Sequence, residues 1–186
     1  MDQRRTVERA RQGDHDAFAQ LATAAFRRVS GIAQLIVRDH ELARDAVQDA
    51  FIRAWRDLPG LRDPDRFDAW LHRLVVRTCL NAVRARRRRP FEVELSPLDE
   101  PAVGDATASV LDRDQLDAAL RTLRPEARAL VVMHFYVGLS LPEAAEALDI
   151  PLGTAKSRLH RSLGSLRVAL SPETPGPASD TRGQLA

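Results

Sequence analysis

The sequence predicts an all-α protein: two small helical domains joined by a flexible linker, the second carrying a helix-turn-helix. Three observations lead there. Aromatics are 5% of the 186 residues, and β-branched residues are sparse beside Ala, Leu and Arg, which favours helix over strand. Apolar residues return at spacings of three and four through most of the chain, the period of a helix with one buried face. Between two such blocks, Pro90 to about Leu111 reads PFEVELSPLDEPAVGDATASVL, with prolines among small and acidic residues and no helical period. The expected division is a first domain at 1–89, an acidic linker at 90–112, a second domain at 113–170 and a disordered tail at 171–186, where SPETPGPASDTRGQLA offers little that can pack.

The first domain reads as three helices. From about Asp16 to Val37, the residues Phe18, Leu21, Ala25, Phe26, Val29, Ala33, Ile36 and Val37 fall on one face. From about Glu41 to Asp57, Leu42, Val47, Phe51, Ala54 and Trp55 point inward, and Pro59-Gly60 ends the helix. From about Asp65 to Arg86, Asp65 is the expected N-cap, and Phe67, Trp70, Leu71, Leu74 and Val75 form the apolar stripe. In the second domain a short helix covers about Arg113 to Leu123. Pro125 suits the first position of the next helix, which runs to Val137 before Gly138 stops it. Ser140 and Glu143 have capping-box spacing, opening a helix that ends near Asp149. Pro151 pushes Ile150 out of helical geometry, and a final helix runs from near Gly153 to about Ala169.

Composition excludes several classes. Hydrophobic residues at 44% and charged residues at 29% fit a packed core. One cysteine, Cys79, leaves no intramolecular disulfide or Cys-rich zinc site, and its mid-helix place reads as packing. No apolar run reaches the roughly 18 residues that span a bilayer, and the first residues carry charge with no apolar stretch behind it. No membrane insertion and a cytoplasmic location are expected. His15, His40, His72, His134 and His160 lack ligand spacing, and neither HExxH nor a glycine-rich phosphate loop occurs, so no metal, cofactor or catalytic residue is expected.

Charge is uneven. Residues 1–89 hold 19 arginines against 12 acids, whereas residues 90–115 hold one arginine against seven acids. Arg84, Arg86, Arg87, Arg88 and Arg89 cluster where the first block ends, either as a solvated helix terminus or as a phosphate patch.

Three candidate surfaces emerge. A capped helix, a tight turn and a basic helix form a helix-turn-helix pattern, whose second helix enters the major groove. In that helix Ala155, Leu159 and Leu163 are expected inward. Thr154, Lys156, Ser157, Arg158, His160 and Arg161 are potential donors, with Lys156 and Arg161 suited to guanine and Arg158 to phosphate. In the third helix Arg73, Arg77, Asn81 and Arg84 make a stripe opposite the apolar one, residue types that grip phosphates and read base edges. The preceding loop, Pro59 to Pro64 with Arg62 and Asp63, could hold an unstacked base. In the second helix Asp45, Gln48 and Asp49 share a face that suits a basic protein surface better than DNA.

Together these residues resemble a bacterial RNA polymerase sigma factor of the extracytoplasmic-function (ECF) group. ELARDAVQDAFIRAW (Glu41 to Trp55) and FDAWLHRLVVRTCLNAVRARRR (Phe67 to Arg88) are similar to the family's second region. LRPEARALVVMHFYVGLSLPEAAEALDIPLGTAKSRLHRSLGSLR (Leu123 to Arg167) is similar to its fourth. The resemblance implies that Asp45, Gln48 and Asp49 dock on the β′ clamp helices of core RNA polymerase. It implies that Arg62, Asp63, Arg66, Arg73, Arg77, Asn81 and Arg84 capture the melted minus-ten element. Thr154, Lys156, Ser157, Arg158, His160 and Arg161 would read the minus-thirty-five element. The β flap, promoter DNA and an anti-sigma protein are the other implied partners. Thr78 stands where many relatives carry Asn, and His160 stands at a variable specificity position. A physical check agrees: the two DNA elements lie on the order of 70 Å apart, and some 22 extended residues span at most roughly 75–80 Å.

Two other readings remain at this level. A stand-alone helix-turn-helix regulator would bind a palindrome as a dimer, leaving the Asp45 face unexplained. A helical nucleic-acid enzyme would need a catalytic constellation that the sequence does not present.

Overall fold

A computed structural model describes residues 2–88 and 110–171. The linker expected at 90–112 lies almost wholly outside them, as does the tail after Ser171. Every described element is helical: α1 (Gln3–Arg11), α2 (His15–Val37), α3 (His40–Asp57), α4 (Phe67–Arg88), α5 (Val110–Arg121), α6 (Pro125–Val131), α7 (Leu141–Ala147) and α8 (Leu152–Leu170). None is long and apolar enough to cross a membrane.

Helices α2, α3 and α4 form the centre of the first unit. Asp14 caps α2, accepting from the Ala17 N–H at 2.9 Å, and Asp39 caps α3 through the Leu42 N–H at 2.9 Å. Between them Arg38 ends α2 in the left-handed region at φ 62°, a costly place for a side chain with a Cβ. Val29, Ile32, Ala33 and Ile36 of α2 are fully buried. Each of the larger ones contributes about 1.5–3 kcal/mol by leaving water. Against them α3 offers a stripe of small residues, Ala43, Ala46, Ala50 and Ala54, so the backbones come close. Phe67, Leu71, Val75, Val76 and Cys79 of α4 complete this core.

Three sequence expectations change here. Helix α1 has no signal in the sequence: only Thr6, Val7 and Ala10 are buried on it, too few apolar positions among charges to give a period. The N-cap expected at Asp65 is Asp63, whose carboxylate accepts from the Asp65 N–H at 3.1 Å and opens a 3-10 turn over Pro64–Arg66 before α4. Asp65 instead pairs with Arg4 of α1 at 2.6 Å. Phe26, expected inward, is 56% exposed, lying with its ring 6.5 Å from that of Phe51.

In the second unit α6 does not stay α-helical to Val137. It passes into a π turn at Val132–Tyr136, closed by the Val137 N–H on the Val132 carbonyl at 3.0 Å. Gly138 follows at φ 84°, a conformation that glycine takes without steric cost. The capping box is present: the Ser140 N–H donates to Glu143 at 2.9 Å, and the Glu143 N–H donates to Ser140 Oγ at 3.4 Å. Asp149 turns the chain at φ 55°, Pro151 stands at the N-cap position of the next helix without a side-chain capping bond, and α7 and α8 form the helix-turn-helix. On α8 the inward positions are Ala155, Leu159, Ser162 and Leu166, whereas Leu163 is 38% exposed. An α-helix advances 3.6 residues per turn, so a run of fours drifts off the buried face.

The two units pack together. Ala129, Leu130 and Met133 are buried in the same apolar cluster as Ile32 and Ile36. Gly31 lies under Tyr136: a Cβ there would sit 2.9 Å from the Tyr136 hydroxyl, so the missing side chain leaves room for the tip of that ring.

Candidate nucleic-acid interface

Helix α3 packs through Ala43, Ala46, Val47 and Ala50, which aims Asp45, Gln48 and Asp49 outward, and all three are exposed. The ion pairs within α3, Arg44–Glu41 at 2.5 Å and Arg56–Asp57 at 2.8 Å, leave this trio untouched. Ile52, one turn on, is 60% exposed and adds an apolar side chain to the face. Sequence reasoning missed Ile52 because an exposed apolar residue looks the same in sequence as a buried one.

On α4 the apolar stripe faces α2 and α3, and the opposite side presents Arg77, Asn81 and Arg84 to solvent, with Arg73 half-buried. Thr78 turns inward: it is buried, and its hydroxyl donates to the Leu74 carbonyl at 2.8 Å. It therefore belongs to the packing side of the helix. Arg62, Asp63 and Arg66 are exposed in the turns before α4, with the Asp63 carboxylate engaged as a cap. Of the arginine cluster that closes the first block, Arg86 pairs with Asp39.

Acids of the second unit meet this surface. Arg73 Nη1 donates to Glu146 of α7 at 2.7 Å, and Arg84 Nε lies 3.5 Å from Glu126 of α6. Hydrogen bonds from Ser140 hold the Glu143 carboxyl below its ordinary range, and Arg66 adds to the effect from the first unit. Single-sequence reading gave no signal for these pairs, whose members lie as far as 73 residues apart.

On α8, Lys156, Ser157, His160 and Arg161 share an exposed face, while Thr154 and Arg158 are half-buried beside it. Ser157 Oγ donates to the Thr154 carbonyl at 3.1 Å, leaving its lone pairs to accept. Arg161 uses only Nε within the helix, on the Ser157 carbonyl at 3.3 Å, so both Nη groups stay available. A planar fork of that kind matches guanine O6 and N7.

The join between the units is itself cationic. Arg128 is buried, its Nε donating to the Ile36 carbonyl at 2.8 Å and its Nη1 to the Leu120 carbonyl at 3.2 Å. Burial, with Arg38, Arg87 and Arg121 nearby, pushes the guanidinium pKa down to about 10, so it stays charged at neutral pH. Arg38 reaches across to Asp117 at 2.6 Å. Among the described residues, no group of three or more His, Cys, Asp or Glu is placed to hold a metal ion.

Comparison with known proteins places the chain in a family. The family model for sigma-70 region 2 matches residues 21–89, and that for sigma-70 region 4 matches residues 113–166. The chain is 30% identical to the RNA polymerase sigma-H factor of Pseudomonas aeruginosa over 178 residues, covering 89% of this chain and 92% of that one. It is 36% identical to the ECF RNA polymerase sigma factor SigM of Mycobacterium tuberculosis over 155 residues, 83% of this chain and 77% of that one. Among solved structures, CnrH in complex with the cytosolic domain of CnrY matches with a TM-score of 0.63 at 28% identity, covering 90% of this chain and 96% of that one. The sigma factor RpoE of Bartonella quintana, in complex with the anti-sigma factor NepR, shares the fold at a TM-score of 0.69 and 24% identity, over 84% of this chain and 98% of that one. With both regions present in the family's order, the chain belongs to the extracytoplasmic-function RNA polymerase sigma factors.

Proposed function

We propose that this chain loads onto core RNA polymerase in the cytoplasm and directs it to promoters, acting by binding and not as an enzyme. The observation that carries this is the occurrence of both sigma regions, 21–89 and 113–166, in one chain with separate outward faces on α3, α4 and α8. Asp45, Gln48 and Asp49 dock on the β′ clamp helices, with Ile52 adding apolar contact. Arg62, Asp63, Arg66, Arg73, Arg77, Asn81 and Arg84 hold the melted minus-ten strand, where arginines bind phosphates and Asn81 meets a base edge. Thr154, Lys156, Ser157, Arg158, His160 and Arg161 read the minus-thirty-five duplex, and the second unit contacts the β flap. Each unit is small and binds weakly alone. Joined through the polymerase, the two sites act at high effective concentration.

Strand opening on this reading needs no nucleotide hydrolysis, because trapping unpaired bases favours the melted state. An anti-sigma protein covering the α3 face would keep the chain off polymerase. The test is reconstitution: purified chain and bacterial core polymerase on a genomic promoter library, with start sites mapped. Defined starts that need the chain support the proposal. Sequence-specific duplex binding by the chain alone, with no chain-dependent starts, would replace it with a stand-alone regulator.

A further inference from the structure

The join between the units contains a cleft that the functions above do not use as such. It is open to solvent on one side, with a volume of about 810 Å³. One wall is Arg84 at the end of α4. The others come from the second unit: Arg124 before α6, with Arg158 and Arg161 on α8. Four arginines thus line the cleft against one acid, Glu126, which lies 3.5 Å from Arg84 and offsets its charge. Arg124, Arg158 and Arg161 have no carboxylate partner among the described residues. Like charges held around one concavity raise the local positive potential and concentrate anions. The lining holds no aromatic ring to sandwich a base. The chemistry selects a compact chain of phosphates, which planar guanidinium forks bind in bidentate fashion.

We propose that this cleft binds a short polyphosphate, whether linear inorganic polyphosphate or the triphosphate of a nucleotide. Because Arg84 belongs to one unit and the other three arginines to the second, the bound chain fastens the units together. It also engages Arg158 and Arg161, so it competes with any duplex those residues grip. The cleft would therefore make the packed arrangement sensitive to polyphosphate.

Calorimetric titration of the whole chain with tripolyphosphate, at about physiological salt where loose surface contacts are screened, tests this without reference to polymerase. One saturable site per chain is expected, with ATP binding about as well, since the base is not read. Much weaker ATP would mean that free polyphosphate alone fits. Arg84→Gln/Arg124→Gln should weaken binding at least about tenfold, whereas Arg27→Gln/Arg53→Gln, a pair of exposed arginines elsewhere, should not. If the first pair fails to fold by circular dichroism, Arg124→Gln alone carries the comparison, since Arg124 makes no side-chain capping bond. Hydrogen exchange should slow at both the end of α4 and α8 on binding. Absence of a saturable site, equal loss in both variant pairs, or protection confined to α8 would overturn the proposal.

Discussion

Arg128 Nε donates to the carbonyl oxygen of Ile36 at 2.8 Å, joining two residues 92 positions apart at the centre of the packed units. Its partners are carbonyls near the ends of α2 and α5, where helix dipoles leave partial negative charge for a cation. No carboxylate neutralises it among the described residues. The contact is therefore a hydrogen-bonded pin made by a charge that burial disfavours.

Arg128→Ala should remove the pin and leave two carbonyls short of a donor, lowering stability by about 2–4 kcal/mol in denaturant titration. Arg128→Lys should recover less than half of that, because one ammonium does not reproduce the fork. Small-angle scattering of the Ala variant should show a larger radius of gyration if the pin holds the units together.

The Arg73–Glu146 and Arg84–Glu126 pairs put acids of the second unit on residues proposed to bind the minus-ten strand. Glu126→Gln/Glu146→Gln should raise the affinity of the free chain for single-stranded DNA by roughly three- to tenfold, read by fluorescence anisotropy at low salt. Stability should change little, since partly exposed pairs contribute at most about 1 kcal/mol each.

His72 is buried, and desolvation lowers its pKa despite the opposing pull of Asp68. The unfolded chain therefore binds more protons as pH falls through the ordinary histidine range. Stability from this residue is full above that range and declines on acidification through about pH 6.5 toward the lowered native value. Chemical denaturation at about pH 7.5 and about pH 5.5 should show a loss that shrinks in His72→Leu.

Cys79 is fully buried in α4, and burial pushes its thiol up to about 12. With almost no thiolate at about pH 8, it should stay unreactive toward a disulfide reagent in the folded chain. Added denaturant should release it in step with unfolding measured by circular dichroism.

What the sequence made legible follows from periodicity and caps. Helices α2, α3 and α4 announced themselves through repeating apolar residues, and the α7 start through Ser140 and Glu143. Helix α1 did not, because its buried side amounts to one turn. Leu163 follows a strict spacing of four that drifts off the buried face, and Phe26 lies at the edge of the spacing that its buried neighbours follow. The outward aim of Asp45, Gln48 and Asp49 was readable, since spacing alone puts them on one side of α3. The join was not: Arg128 looked like one more charge in PEARALVV, and its carbonyl partners carry no side-chain signature. The same holds for Gly31, whose use depends on Tyr136 more than 100 residues away.

The most direct measurement is equilibrium binding of the whole chain to purified bacterial core polymerase, comparing wild type with Asp45→Ala/Gln48→Ala/Asp49→Ala. The proposed docking predicts tight wild-type binding, weakened at least about a hundredfold in the variant, with unchanged circular dichroism because all three side chains are exposed. Equal binding by the two proteins would contradict docking through α3, and no binding by folded wild type would contradict the proposed function.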